Sequence, residues 1–229
     1  MGRIALVTGA SRGIGLAIAD ALQAEGGYII RLARSLVSAS TDRRTDLPCD
    51  VTREGDLQRA ASRLGELGRL PDILVNNAGS FILKALLQTT AEEFREQLNT
   101  NLVGPFLVLR TFLPYLIARG GGDVVTIGSV ADHVPLPGNA AYGASKRGLR
   151  GLHEVLALEC AGTGVRTTLI SPSATDTPLW DPIDPDHREG FPKRADMLRS
   201  TDVAVEVVRA VTQAKGESVG EICLSAPRL

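Results

Sequence analysis

Apolar and polar positions change rhythm repeatedly along the 229 residues. "RIALVT" (3–8) is a short β-branched apolar run and reads as a buried strand. "GIGLAIADALQAEG" (13–26) follows with apolar residues at helical spacing and a Gly26-Gly27 stop. Further strands are predicted at "YIIRLA" (28–33), "DILVNNAG" (72–79), "DVVTIGS" (123–129), "VRTTLIS" (165–171) and "EICLS" (221–225), and "LPCDV" (47–51) ends a weaker one. "EGDLQRAASRLGELG" (54–68) predicts an amphipathic helix. Helical patterns also cover 91–121, with a kink expected at Gly104-Pro105, and roughly 141–160. Strands alternating with helices predict a three-layer α/β/α arrangement, with a parallel sheet covered on both faces. Neither a repeat nor a linker interrupts the pattern, so residues 1–229 read as one domain.

Two segments break the alternation. The stretch 35–46, rich in Ser and Thr, is short for a crossover helix and reads as a loop or a single turn. The stretch 175–198 is proline-rich and carries the only tryptophan, Trp180. A long irregular insertion in a compact domain predicts a lid over a site.

Composition narrows the function classes. Twenty-five basic and 26 acidic side chains give a net charge of −1, which predicts neither a nucleic-acid nor an acidic-membrane partner. The apolar runs read as too short for the ~20 residues of a membrane span. Cys49, Cys160 and Cys223 are far apart and form no C-x-x-C pair, and His133, His153 and His187 lack metal spacing. Buried thiols in a reducing cytosol, no metal site and a cytoplasmic location are expected.

The chemistry begins at "TGASRGIG" (8–15), between the first strand and the first helix. Gly9 suits a tight turn, Gly13 a close backbone approach to a ligand, and Gly15 close helix–sheet packing. The N–H groups at that helix start suit a pyrophosphate. The spacing is G-x-x-x-G-x-G, an imperfect fit to the general dinucleotide fingerprint. At the end of the second strand stands Arg34 and no acid, and Arg12 lies in the glycine turn. Two guanidiniums without a carboxylate favour NADP(H) over NAD(H).

Four separated stretches carry a resemblance over nearly the whole chain: "TGASRGIG", "NNAG" (76–79), Asn101 in "LNTNLVGPF", and Ser129 followed by "YGASK" (142–146). In order and spacing the chain resembles the short-chain dehydrogenase/reductase family. The resemblance implies a Rossmann-type, doubly wound sheet of about seven parallel strands and a nicotinamide cofactor. It implies Tyr142 as acid/base, Lys146 holding the nicotinamide ribose, Ser129 bonding the substrate oxygen and Asn101 helping to hold a relay water. Ser11 and Ile14 belong to the cofactor-binding turn. Asp50 and Val51 match the pair flanking the adenine, and Asn77, Ala78 and Gly79 the turn beside the adenosine ribose. Pro172, Thr175 and Thr177 match the segment at the nicotinamide end, where Ser173 stands in place of the family's usual glycine.

Tyrosine ionises near ~10, so a phenol can donate but a phenolate is scarce at neutral pH. Lys146 lies one helical turn on from Tyr142, and its ammonium is expected to lower the phenol's pKa. The expected activity is hydride transfer between NADP(H) and a small carbonyl or alcohol, as in a ketone, aldehyde or 3-oxoacyl reductase. A non-catalytic NADP-binding scaffold and an NAD-preferring dehydrogenase or epimerase are the alternatives. The apolar faces of the two long helices predict a homodimer or homotetramer.

Overall fold

A computed structural model describes residues 2–214 and 217–226. The first apolar run becomes β1 (Ile4–Thr8), and the helical pattern behind it becomes α1 (Gly13–Ala24). There follow β2 (Tyr28–Ala33), a short β3 (Ala39–Ser40), β4 (Arg44–Pro48), α2 (Glu54–Glu66) and β5 (Ile73–Asn76). Then come α3 (Ala91–Leu98), α4 (Gly104–Ala118), β6 (Gly122–Ile127), α5 (Ala140–Glu159) and β7 (Val165–Pro172). The chain ends through β8 (Thr175–Asp176), β9 (Leu198–Arg199), α6 (Ser200–Val211) and β10 (Glu221–Leu224). The apolar pattern of α6 is not among the elements read from the sequence.

Eight strands form the main sheet in the order β10-β7-β6-β5-β1-β2-β4-β3. Seven run parallel, and β3 pairs antiparallel with β4 at the edge. This is the doubly wound Rossmann-type architecture the alternation implies. Successive residues of each strand feed opposite layers. Leu6, Ile30, Leu32, Leu74 and Val124 join Leu57, Leu64, Phe112 and Leu116 beneath α2 and α4. Ala5, Val7, Ile29, Val75 and Val125 join Ile18, Leu22, Val203 and Val207 beneath α1 and α6.

Three elements differ from the expectation. The 35–46 stretch is neither a loop nor a helical turn throughout: the chain crosses the sheet end, descends as edge strand β3 and returns as β4. Ten residues between β2 and β4 are too few for a helical crossover, and an edge hairpin needs fewer. The weak strand therefore begins earlier and ends at Pro48. Between α3 and α4 the helix does not simply kink at Gly104-Pro105; residues Asn99–Val103 form a π-helical turn in which the Gly104 N–H reaches the Asn99 carbonyl. Pro105 lacks an N–H, so the Asn101 carbonyl has no donor four residues on. The combined helix Ala91–Ala118 is also long and apolar enough, by length and composition, to cross a membrane, contrary to the shorter run expected. Val108, Leu109, Phe112 and Leu116 are buried against the sheet.

Gly15 shows how tightly the first turn is built. A Cβ there would stand 2.5 Å from the Gly9 carbonyl oxygen and would also strike the Asn77 amide. Gly15→Ala should destabilise the fold by about 1–3 kcal/mol, the usual cost of overpacking. Gly65→Ala, where a Cβ meets nothing within 4 Å, should instead stabilise α2 by about 0.5–1 kcal/mol. Urea denaturation of both variants reads the difference; equal effects would contradict it.

Candidate active site

After β4 the chain returns to the far side of β1 and builds β5, so the strand order reverses between β1 and β5. Ligands of open α/β sheets bind at such a point, beyond the strands' carboxyl ends. A cavity of about 1270 Å³ lies there. Gly9, Ser11, Arg12, Gly13, Ile14 and Gly15 line it after β1, Arg34 after β2, and Asp50 and Val51 after β4. Asn77, Ala78 and Gly79 line it after β5, Ser129 after β6, and Pro172, Thr175 and Thr177 at and beyond the end of β7. Tyr142 and Lys146 reach it from α5. Among the residues predicted for the site, only Asn101 does not face the cavity.

The glycine turn forms a cradle. Gly9 and Gly13 have φ of +66° and +58°, and a Cβ on Gly9 would stand 2.8 Å from the Ala78 Cα. The N-cap Arg12 offers no side-chain hydrogen bond to α1, and the first turn holds no acid. The N–H groups and positive dipole at that end therefore face the cavity without a neutralising side chain. Arg12 and Arg34 are exposed and make no salt bridge among the described residues. Asp50 is already engaged: its Oδ1 accepts from the Thr52 N–H at 3.0 Å and the Thr52 hydroxyl at 2.7 Å. Burial pushes the Asp50 carboxyl up, but these bonds and the charges of Arg34 and Arg53 hold it below the usual range. An uncapped helix start and a Cβ-free cradle fit the pyrophosphate of a dinucleotide.

At the other end Tyr142 is half-buried, with Ser129 as a hydrogen-bond partner. Its pKa is raised, not lowered as the sequence predicts. Burial disfavours the phenolate, the Ser129 bond opposes this, and the charge of Asp132 adds to the rise. Lys146 is aimed elsewhere: its Nζ donates to the Ile127 carbonyl at 3.0 Å and lies 5.8 Å from the Tyr142 ring centroid. Burial pulls the Lys146 ammonium down to about 8. Asn101 is buried. Its Nδ2 donates to the Ser80 carbonyl and Ser145 Oγ, both at 3.0 Å, and its Oδ1 accepts from the Ser80 N–H at 2.8 Å. That side chain fastens the loop after β5 to α5. Ser173 keeps negative φ; its N–H donates to the Leu224 carbonyl at 2.8 Å, so the residue ties β10 to the site without strain.

Asp132 is the residue that sequence reasoning undervalued. Its carboxylate is fully buried behind Ser129. Oδ2 accepts from Ser171 Oγ at 2.5 Å and the Ser129 N–H at 3.4 Å; Oδ1 meets His133 Nδ1 at 2.5 Å and Arg150 Nε at 3.3 Å. Arg150 in turn pairs with Glu221 of β10. The signal was present: Ser129 and Asp132 have capping-box spacing, and both halves of the box form. Phe81 was also passed over; its ring stands edge-on to Tyr142 at 4.8 Å and to Trp180 at 5.3 Å. His153 is buried with Nδ1 3.0 Å from Thr126 Oγ1, and burial pulls its pKa down to about 4. Cys49 and Cys160 are buried as expected, whereas Cys223 is exposed on an edge strand. No group that could hold a metal occurs among the described residues.

A Rossmann-type sheet with this crevice is the architecture that binds dinucleotides. Residues 3–188 match the family described as short chain dehydrogenase, and the chain belongs to that family, whose members use nicotinamide cofactors. It is 34% identical to 2-(R)-hydroxypropyl-CoM dehydrogenase of Xanthobacter autotrophicus, over 95% of this chain and 92% of that one. It is also 34% identical to a 3-oxoacyl-(acyl-carrier-protein) reductase of Escherichia coli, over 83% of this chain and 80% of that one. A crystal structure of a short-chain dehydrogenase from Streptomyces avermitilis superposes with a TM-score of 0.84 at 29% identity, covering 98% of this chain and 89% of the other.

Burial alone would raise the Asp132 carboxyl. The bonds from Ser171, His133 and Ser129 and the Arg150 charge hold it below the usual carboxylate range. A folded pKa below the unfolded value of about 3.9 contributes stability that is present above that value and is lost as pH falls through the folded pKa. Asp132→Asn should therefore cost up to about 3–5 kcal/mol at neutral pH, less what Arg150 recovers from Glu221. The gap from the parent should shrink below about pH 4, read by urea denaturation across pH. A gap independent of pH would contradict the charge network.

Proposed function

We propose that this oxidoreductase is an NADP(H)-dependent carbonyl reductase or alcohol dehydrogenase with Tyr142 as the proton donor. The observation that carries the reading is one cavity with Ser129, Tyr142 and Lys146 at one end and two unpaired guanidiniums at the other. Arg12 and Arg34 would hold the 2′-phosphate, the α1 N-terminus the pyrophosphate, and Thr175 and Thr177 the nicotinamide end. Bound nicotinamide would supply a hydride to the carbonyl carbon and be oxidised in return.

The chain's residues manage the oxygen. The Ser129 hydroxyl bonds the carbonyl oxygen and orients it. Tyr142 Oη passes it a proton as charge develops. The raised pKa keeps the phenol protonated at neutral pH, which suits reduction. Lys146, charged below its pKa of about 8, stabilises the phenolate left behind. With the Asn101 side chain held by Ser80 and Ser145, the relay water falls to the Asn101 carbonyl, which has no donor at Pro105 four residues on.

The segment 175–198 acts as the lid of a single domain. Its ends are paired at Thr175–Leu198 and Asp176–Arg199, and Arg194 ties it to Asp176 and Asp181, both at 2.7 Å. Phe106, Tyr115 and Ile117 of α4 and Val155 and Leu158 of α5 leave apolar surface exposed, which supports a homodimer or homotetramer. The free thiols support a cytoplasmic location.

Tyr142→Phe should lower kcat by about 10²–10⁴-fold while NADPH affinity stays within about twofold. NADPH oxidation at 340 nm and a fluorescence titration measure the two; near-normal turnover would remove Tyr142 from its role. Arg34→Asp should weaken NADPH by about tenfold to a hundredfold, the worth of a charged hydrogen bond, and leave NADH unweakened. Equal NADPH and NADH affinity in the parent protein would overturn the cofactor preference. The oxidative direction needs the phenolate, so its rate should climb with pH through the neutral and alkaline range; a flat oxidative profile would contradict the raised pKa.

A further inference from the structure

The wall beyond Tyr142 is built from apolar side chains. The rings of Tyr142, Phe81 and Trp180 follow one another from the phenol to the lid, with centroids 4.8 and 5.3 Å apart. Val130, Leu136, Leu179 and Phe191 line the same end.

Among the described residues that line the cavity, no cation stands unpartnered at this end. Of the lining cations, Arg12 and Arg34 stand at the glycine turn and the end of β2, and Lys146 lies at the Ile127 carbonyl. Lys84 pairs with Glu93 at 2.6 Å. On the lid, Arg188 lies over the Phe191 ring at 5.1 Å, Arg194 is held by Asp176 and Asp181, and Lys193 donates to the Asp186 carbonyl at 2.6 Å. Glu96 and Glu189 line the cavity and would repel an anion, while Glu93 is paired with Lys84. The nearby polar groups are paired among themselves: Gln97 Nε2 donates to Ser80 Oγ at 2.5 Å, and Asn139 Nδ2 reaches the Pro137 carbonyl at 3.5 Å. A carboxylate, a phosphorylated carrier or a polyol would lose hydration against this apolar wall and find no lining cation to replace it.

We infer that the substrate is a neutral ketone or aldehyde, or the corresponding alcohol, carrying an apolar and preferably aromatic group that packs on Phe81 and Trp180. Aromatic rings gain from such edge-to-face partners beyond the area they bury. The inference rests on reading this cavity as that of a carbonyl reductase, and its test separates the two.

Methyl benzoylformate and benzoylformate present the same reacting ketone and ring, and differ by one negative charge. With the full chain and NADPH, kcat/KM for the neutral ester should exceed that for the anion and for acetoacetyl-coenzyme A by about a hundredfold. The Trp180 ring touches Phe81 and not Tyr142, so Trp180→Ala should raise KM for the ester by about tenfold, and by less for 2,3-butanedione. Equal or better turnover of benzoylformate or acetoacetyl-coenzyme A would overturn the inference and leave the reductase reading standing. Trp180 is the only tryptophan in the chain, so its fluorescence reports occupancy of this wall without turnover. In the parent protein with NADPH, the ester should quench it saturably and benzoylformate should not. Selective quenching with no oxidation of NADPH by any of these compounds supports the pocket's preference and sinks the reductase reading. Equal quenching by both compounds, or by neither, sinks the preference.

Discussion

The site depends on the close approach of two turns at the reversal of the sheet. The Thr8 hydroxyl accepts from the N–H groups of both Asn77 and Ala78 at 3.0 Å and donates to the Val75 carbonyl at 3.2 Å. Asn77 Nδ2 returns a bond to the Thr8 carbonyl at 2.8 Å. This clamp draws the end of β5 against the end of β1, and only glycine fits at positions 9 and 15 beneath it. The turns around the cavity take their places from that contact. The N–H groups that open α1 lie on one side of it, and the ends of β6 and β7 continue on the other.

Burial acts in opposite directions on Tyr142 and Lys146. It raises the Tyr142 phenol and pulls the Lys146 ammonium down to about 8, because both lose charged-state hydration. The Asp132 carboxylate raises both. Asp132 is itself held ionised by Ser171, His133 and Arg150, and Arg150 also pairs with Glu221 on the edge strand β10. Electrostatics at the phenol is thus connected to the far end of the chain by a run of hydrogen bonds. A buried carboxylate in so apolar a setting needs all of them.

Much of the fold was legible because its signals are local. A strand that ends in Thr8-Gly9 and opens a helix at Gly13 announces itself in eight letters, and the alternation of apolar faces requires layers on both sides of a sheet. The cavity-lining positions were legible for the same reason: most follow directly on the carboxyl ends of strands. What escaped depends on partners distant in the chain. Whether 35–46 makes an edge strand is decided by the exposed flank of β4, and the reach of Lys146 by the Ile127 carbonyl beneath it. The Asn101 side chain is directed by Ser80 and Ser145, the latter 44 residues further on.

By itself the sequence determined the doubly wound architecture, the position of the crevice and most of the turns that line it. Each follows from local periodicity and from backbone turns that only particular residues permit. The tertiary structure alone decided the direction in which burial shifts Tyr142 and Lys146 and the aromatic character of the wall beyond Tyr142. Desolvation depends on everything packed around a group, and Phe81, Tyr142 and Trp180 meet only because three separate segments fold onto one another.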